Sequence, residues 1–157
     1  MYNHKPTDYS NPFHTIINNG DFSDIHTNKE DIFYRDDDIT AFISSTQWPN
    51  NPGNALIIPN IAYENIYDIP DDILSKVHVF SKKLAIAMKE VYKCEGISIR
   101  QHNEPAGYQE VWHYHLHVFP RYKNDELYTL YKQGYLSDPD TRAEYANKLR
   151  EYFSRED

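Results

Sequence analysis

Three histidines alternate with large apolar residues in the segment His113-Tyr114-His115-Leu116-His117. In a strand, successive side chains point to opposite faces, so the histidines would share one face. The opposite face would then carry Trp112, Tyr114, Leu116 and Val118. Histidine, whose unperturbed pKa is roughly 6.5, can act as nucleophile, base or acid near neutral pH. The spacing therefore predicts a strand with one reactive face and one core face.

A metal site is one alternative use of the three histidines. At about 3.3 Å rise per residue, the Cα atoms of His113 and His117 lie roughly 13 Å apart in a strand. Zinc-to-nitrogen distances are about 2.0 to 2.1 Å, so three imidazoles of a straight strand do not meet one tetrahedral ion. Two of them with a distant acid could do so. A solvated row on an edge strand is the other alternative, but Thr, Lys or Glu would suit it better.

Covalent chemistry at phosphorus fits the three histidines best. A neutral imidazole nitrogen can attack a phosphorus centre, and water can then hydrolyse the phosphorylated histidine. Such a transfer needs positioning and charge stabilisation, which flanking imidazoles, backbone N–H groups and an amide such as that of Gln109 can supply. We expect neither a metal ion nor any other cofactor.

The elements that must position this site follow from periodicity. Acidic residues 36–38 separate two β-prone runs, Ile32–Tyr34 and Ile39–Ile43, which predicts a hairpin. Strands are predicted at 54–58 and 97–101, and apolar residues at three- and four-residue steps predict a helix from Pro70 to Tyr92. Ser137-Asp138-Pro139 predicts the start of a terminal helix that ends near Phe153. We expect an α+β fold with an antiparallel sheet of about five strands.

Composition limits the classes of partner. A net charge of −8 over 157 residues provides no basic face for nucleic acid or for an anionic membrane. No segment has the length and hydropathy of a signal peptide or a membrane span. The one cysteine, Cys94, cannot form an internal disulfide, which agrees with a reducing compartment. We expect a cytoplasmic protein and one domain over residues 1–157.

The motif His113-x-His115-x-His117-Val118-Phe119-Pro120-Arg121, preceded by residues 106–111, resembles the signature of the histidine triad family of nucleotide hydrolases and transferases. Segments 13–20, 37–43 and 51–59 are similar to further parts of that family. The resemblance covers roughly residues 11 to 122, which leaves a C-terminal extension with the helix at about 139–153. It implies a small antiparallel sheet with one main helix, and a homodimer.

The resemblance also implies roles for individual residues. His115 would be the nucleophile that takes a nucleoside monophosphate, His113 would orient it, and His117 would contact phosphate oxygens. Gln109 and Asn103 would bind phosphate. A histidine at position 117 favours the hydrolase branch, which acts on a nucleoside phosphoramidate or a dinucleoside polyphosphate, with a purine nucleotide as the expected ligand. The alternative is a nucleotide-binding or interaction module with little turnover.

This chain departs from the family pattern at several positions. Asn11 and His14 stand where many members carry a zinc-binding cysteine pair, and Asn54 replaces a fourth histidine. Asn54 would still bind the nucleotide or its phosphate through hydrogen bonds, but an asparagine cannot carry a proton. Glu110 occupies the position of a small hydroxyl residue, and it would be either a general acid for the leaving group or a solvated carboxylate. Phe42 would either enclose the base or belong to the core.

Overall fold

A computed structural model of the protein describes residues 2–155 and confirms the α+β class. Five strands form one sheet in the order β1-β2-β4-β6-β5, and all neighbouring strands are antiparallel. These strands are β1 (Ile32–Arg35), β2 (Ile39–Ile43), β4 (Ala55–Pro59), β5 (Gly96–Gln101) and β6 (Leu116–Arg121). The predicted hairpin is β1–β2. Its turn is closed by the Asp36 carboxylate, which accepts hydrogen bonds from the backbone N–H groups of Asp38 and Ile39.

Two helices, α2 (Asp71–Tyr92) and α3 (Pro139–Phe153), contribute to the main core on one side of the sheet. Both helices agree closely with their predicted bounds. The main core contains the apolar stripe of α2, the last turns of α3, and Tyr114, Leu116 and Val118 from around β6. Asp138 caps α3 by accepting hydrogen bonds from the N–H groups of Asp140 and Thr141, and Pro139 occupies its first position.

A second, smaller apolar cluster includes residues from a helix near the N-terminus. Helix α1 (Pro12–Asn18) contributes Phe13 and Ile16, which pack with Phe42, Leu56 and Ile58 of β2 and β4. Asn11 caps this helix and Pro12 begins it, a pair of residues typical of helix starts. Periodicity does not predict α1, because seven residues are too few for a clear repeat.

The regular strand that carries the histidine motif begins at Leu116, later than predicted. His113 and His115 precede β6 in non-strand backbone, and only His117 of the three lies in the ladder. The N–H of Tyr114 donates to the carbonyl of Tyr63 instead of to a neighbouring strand. Pro59 ends β4 and has no N–H group, so the β4–β6 ladder stops at the pair Ile57–Leu116.

The segment that follows the five-stranded sheet contributes to a separate sheet of two strands. Strand β7 (Tyr135–Leu136) pairs with β3 (Thr46–Gln47), and the indole N–H of Trp48 donates to the carbonyl of Tyr131 over 2.9 Å. Gly53 has φ +85°, and a Cβ there would lie 2.5 Å from the Tyr145 ring of α3, so the close approach of α3 requires glycine. Within residues 2–155, no helix has the length and apolar character needed to cross a membrane.

Candidate active site

A cavity of about 920 Å³ lies on the face of the sheet that carries α1. His115 and His117 line it, and His117 pairs across the sheet with Leu56 on one side and with Arg100 on the other. One end is mainly apolar, and its lining includes Phe13, Ile16, Ile25, Phe42 and Leu56. The other end combines aromatic and basic groups, and its lining includes Trp48, Arg100, His102, Tyr128, Tyr131 and Lys132. We call these the apolar lobe and the cationic lobe.

His115 has the hydrogen bonding of a nucleophile. Its Nδ1 lies 2.7 Å from the backbone carbonyl of His113, an acceptor only, so Nδ1 carries the proton. Nε2 then holds an unprotonated lone pair. The ring packs edge-on against Phe13, with centroids 5.5 Å apart, and the side chain is 7% exposed. A fixed imidazole in the wall of a cavity can attack an electrophile placed there.

His113 positions its neighbours and does not line the cavity. Its side chain is fully buried, with Nε2 2.9 Å from the carbonyl of Pro59 and Nδ1 2.9 Å from the amide nitrogen of Asn11. The Pro59 carbonyl only accepts, so Nε2 donates, and Nδ1 accepts from the Asn11 amide. The side chain thereby joins α1 to the end of β4. Its backbone carbonyl orients His115.

His117 lies beside His115, with ring centroids 5.0 Å apart. Its Nδ1 is buried, and no atom of residues 2–155 forms a hydrogen bond with it. A fourth imidazole, His102, lies 5.9 Å from the His117 ring and is held by its own Nδ1 contact of 2.7 Å to the carbonyl of Gly107. With His26, the cavity is lined by four histidines, and His102, His115 and His117 lie next to one another.

Burial keeps the triad neutral. Loss of hydration lowers the pKa of His113 and of His115 to about 4, and it holds the pKa of His117 well below its usual value. Hydrogen bonds to backbone carbonyls oppose the shift at His113 and His115, but desolvation is the larger effect. A neutral imidazole has the lone pair that nucleophilic attack requires, so His115 is in its reactive form at pH 7.

Gln109 and Asn103 are bound to the protein's own loops and do not line the cavity. The Gln109 amide donates to the carbonyls of Glu64 and Val111, and its oxygen accepts from the N–H of Glu104. The Asn103 side chain bonds to Gln101 and to the N–H of Ile66. Both residues organise the loop before the triad.

The remaining site residues divide between the core and the cavity. Phe42 is buried and also lines the apolar lobe, so it belongs to the core and to the cavity wall. Glu110 is exposed and lines the cavity. Asn54 is fully buried outside the lining, and its amide donates to the carbonyl of Thr46. Asn54 therefore supports the loop that contains β3.

Sequence reasoning missed several residues of the site. Asn11 and Phe13 contact the triad from a helix too short to predict, although the Asn11-Pro12 pair was a usable signal. Arg100 lies directly across the β5–β6 ladder from His117. Only the strand register, which follows from the fold, reveals that proximity.

The chain is similar in sequence to known proteins. A family model described as the HIT domain matches residues 26–124. A HIT-like protein of Saccharolobus solfataricus is 32% identical over 94 residues, which span 60% of this chain and 66% of that relative. An adenosine 5′-monophosphoramidase of Saccharomyces cerevisiae is 38% identical over 78 residues, or 50% of this chain and 46% of the yeast protein.

Solved structures extend the similarity to most of the chain. The crystal structure of a HIT-like protein from Bartonella henselae superposes with a TM-score of 0.75 and 30% identity, covering 93% of this chain and 98% of that one. The histidine motif, the five-stranded sheet and the matched family model lead to one conclusion: this chain belongs to the histidine triad (HIT) family.

Proposed function

We propose that the protein is a nucleotide hydrolase that cleaves at the α-phosphorus of its substrate through a nucleotidyl-His115 intermediate. The observation that carries this proposal is the hydrogen bond from His115 Nδ1 to the His113 carbonyl, which leaves Nε2 unprotonated in the cavity wall. The substrate would be a nucleoside phosphoramidate or a dinucleoside polyphosphate.

The reaction has two displacements. In the first, the Nε2 lone pair forms a bond to the α-phosphorus, and the P–N or P–O bond to the leaving group breaks with its electron pair. The departing group takes up a proton. In the second, water attacks phosphorus, the P–Nε2 bond breaks and returns its pair to the imidazole, and the water loses a proton as nucleoside monophosphate forms.

The two lobes of the cavity suggest how the substrate lies. The apolar lobe would enclose the purine between Phe13, Phe42 and Leu56, since aromatic and aliphatic walls suit a flat heterocycle. The α-phosphorus would then lie at His115, with His117 beside its oxygens and the leaving group in the cationic lobe. Glu110, exposed at the cavity, would be either the acid that protonates an amine as it departs or a solvated carboxylate.

We also propose a homodimer in the cytoplasm. Strand β5 ends the five-stranded sheet, and its Ile99 is 44% exposed. Helix α2 exposes Val79 and Ile86 in the same way. Joined sheets would cover the β5 edge. The free, buried Cys94 suits a reducing compartment. Light scattering of the purified protein measures the oligomeric state directly.

Turnover with two substrates tests the proposed reaction. Wild type, His115→Ala and His78→Ala are each incubated with adenosine 5′-phosphoramidate and with diadenosine tetraphosphate. We expect AMP release and an adenylyl adduct on intact-mass analysis for the wild type, and a loss of at least about 10³-fold in kcat/KM for His115→Ala. His78→Ala is the control for removal of an imidazole outside the cavity, since His78 lies exposed on α2 and its Nε2 contacts the Tyr114 hydroxyl, at 3.4 Å, on the core side of the sheet.

One result would favour the binding module instead. If the wild type binds AMP, yet releases no product and forms no adduct with either compound, the triad holds phosphate without chemistry. Asn54, Gln109 and Asn103, which are all bound to the protein's own loops, are the features that agree with that alternative.

A further inference from the structure

Arg100 occupies the cationic end of a row of side chains that crosses the sheet. Register places Phe42 opposite Leu56, Leu56 opposite His117, and His117 opposite Arg100. All four residues line the cavity. The row therefore runs from the apolar lobe, past the triad, to a guanidinium on β5.

Arg100 is held in place by aromatic rings. Its guanidinium carbon lies 4.2 Å from the centroid of Phe119, and Tyr128 and Trp48 are 5.7 and 5.9 Å away. Phe119 itself stacks on His117, with centroids 5.8 Å apart. Cation–π contacts fix the group without using its N–H donors. Its donors remain available beside the triad.

Among residues 2–155, none accepts a hydrogen bond from the side chain of Arg100 or forms an ion pair with it, and its Nε is buried without a partner. The other arginines of the described chain each have such a partner. Arg121 binds the Asp125 carboxylate through two nitrogens, and Arg142 binds Asp31. A partly buried cation loses hydration, and an anion that fills the cavity would restore the missing contacts.

The surroundings define the anion. The guanidinium presents a planar fork that matches phosphate oxygens. Lys132 brings a second positive charge to the same cavity, and its Nζ lies over the Tyr131 ring at 5.7 Å. Two cations that line one cavity suit a chain of phosphates better than a single carboxylate.

We propose that Arg100, with Lys132, forms an anion subsite that binds the phosphate chain on the leaving-group side of His115. This subsite rests on the proposed function for its orientation, and it makes Arg100 a specificity-determining residue. The protein would prefer a leaving group that carries phosphate over one that is a simple amine.

Direct binding tests the subsite without any turnover. Inorganic tripolyphosphate is titrated calorimetrically into wild type, Arg100→Gln, Arg100→Lys and Arg155→Gln at fixed ionic strength. We expect Arg100→Gln to weaken the affinity roughly 10- to 100-fold, the effect of losing charge-assisted hydrogen bonds. Arg100→Lys should recover part of it. Arg155→Gln changes the net charge by the same amount as Arg100→Gln. Because Arg155 is exposed and lies just after the end of α3, this variant should leave the affinity unaltered.

Kinetics test the selectivity. The ratio of kcat/KM for diadenosine tetraphosphate to that for adenosine 5′-phosphoramidate should fall at least about 10-fold in Arg100→Gln. Equal tripolyphosphate affinities in wild type and Arg100→Gln, or an unchanged ratio of kcat/KM, would overturn the subsite. If the wild type hydrolyses neither compound, the proposed function fails, and the tripolyphosphate titration alone decides whether Arg100 binds phosphate.

Discussion

The two faces of the five-stranded sheet differ in packing: one is buried in the main core, and the other borders the cavity. On the face covered by α2 and α3, Tyr114, Leu116 and Val118 are buried in a continuous apolar core. On the other face, the alternate residues His115 and His117 border a cavity of about 920 Å³ over a small apolar cluster. The first face fills its space, whereas the second leaves a space for a ligand.

The comparison shows what each face contributes. The main core contains most of the buried apolar residues and stabilises the sheet from one side. The opposite face can therefore retain a cavity and desolvated imidazoles, both of which lower the stability of the fold. The unfavourable part of that arrangement is the desolvation of His113 and His115, which lowers the pKa of both imidazoles. One face of the sheet thus supplies most of the buried apolar core, and the opposite face carries the candidate active site.

Acid should weaken the protein through the cavity face. In the unfolded chain an imidazole titrates near pH 6.5, whereas His113 and His115 titrate at about 4 in the fold. Between these values the unfolded state binds more protons, so the free energy of unfolding decreases as the pH falls. We expect a loss of about 2 kcal/mol for each imidazole between pH 7.5 and 5.0, measured by urea denaturation.

His115→Ala provides the control for this pH effect. The variant lacks one of the two imidazoles, so its stability should fall by about 2 kcal/mol less than that of the wild type over the same pH interval. An identical fall in both proteins would show that other groups cause the acid sensitivity.

A matched pair of leucines separates the two faces. Leu84 of α2 is fully buried in the main core, whereas Leu56 of β4 borders the cavity. Leu84→Ala should lower the free energy of unfolding by about 3 kcal/mol, since it creates a closed void. Leu56→Ala should cost about 1 kcal/mol, because its void opens into existing space, and should raise KM about fivefold. Equal stability losses would contradict this view of the cavity face.

The most local effect is expected at Gln109, in the loop before the triad. Glu104 and Tyr108 have positive φ values of 62° and 66°, and the Gln109 side chain ties the loop together. Gln109→Ala should cost about 1 to 2 kcal/mol of stability and speed hydrogen exchange in residues 104–111. Gln133→Ala, at an exposed position, is the control. Unaltered exchange in Gln109→Ala would argue against a role in shaping the loop.

The spacing of apolar residues, together with capping and turn residues, predicts most of the fold. The amphipathic repeat of α2 and the cap of α3 gave their bounds within a residue, and the hairpin turn at Asp36 was equally clear. Helix α1 and the late start of β6 were not predicted. Each depends on contacts distant in sequence, between Asn11 and His113 and between Tyr63 and Tyr114.

The site was predictable only where its chemistry is local in sequence. The triad was found from spacing alone, but Arg100 and Lys132 come from segments whose proximity depends on strand register and on the return of β7. The resemblance assigned phosphate to Gln109 and Asn103. Their hydrogen bonds to Glu64 and Ile66 could not be inferred from spacing, since those partners lie about 40 residues earlier in the chain.

The buried guanidinium of Arg142 has a consequence for the making of the protein. It binds the Asp31 carboxylate and donates to the carbonyls of His26, on the cavity wall, and Ser137, next to β7. All strands of the main sheet precede residue 122, but the cavity also needs Tyr128 to Gly134 and this anchor. During synthesis, the strands that carry the triad are therefore made before the segments that enclose the cavity. A growing chain would contain the triad without a complete binding site until α3, which also completes the main core, has been made.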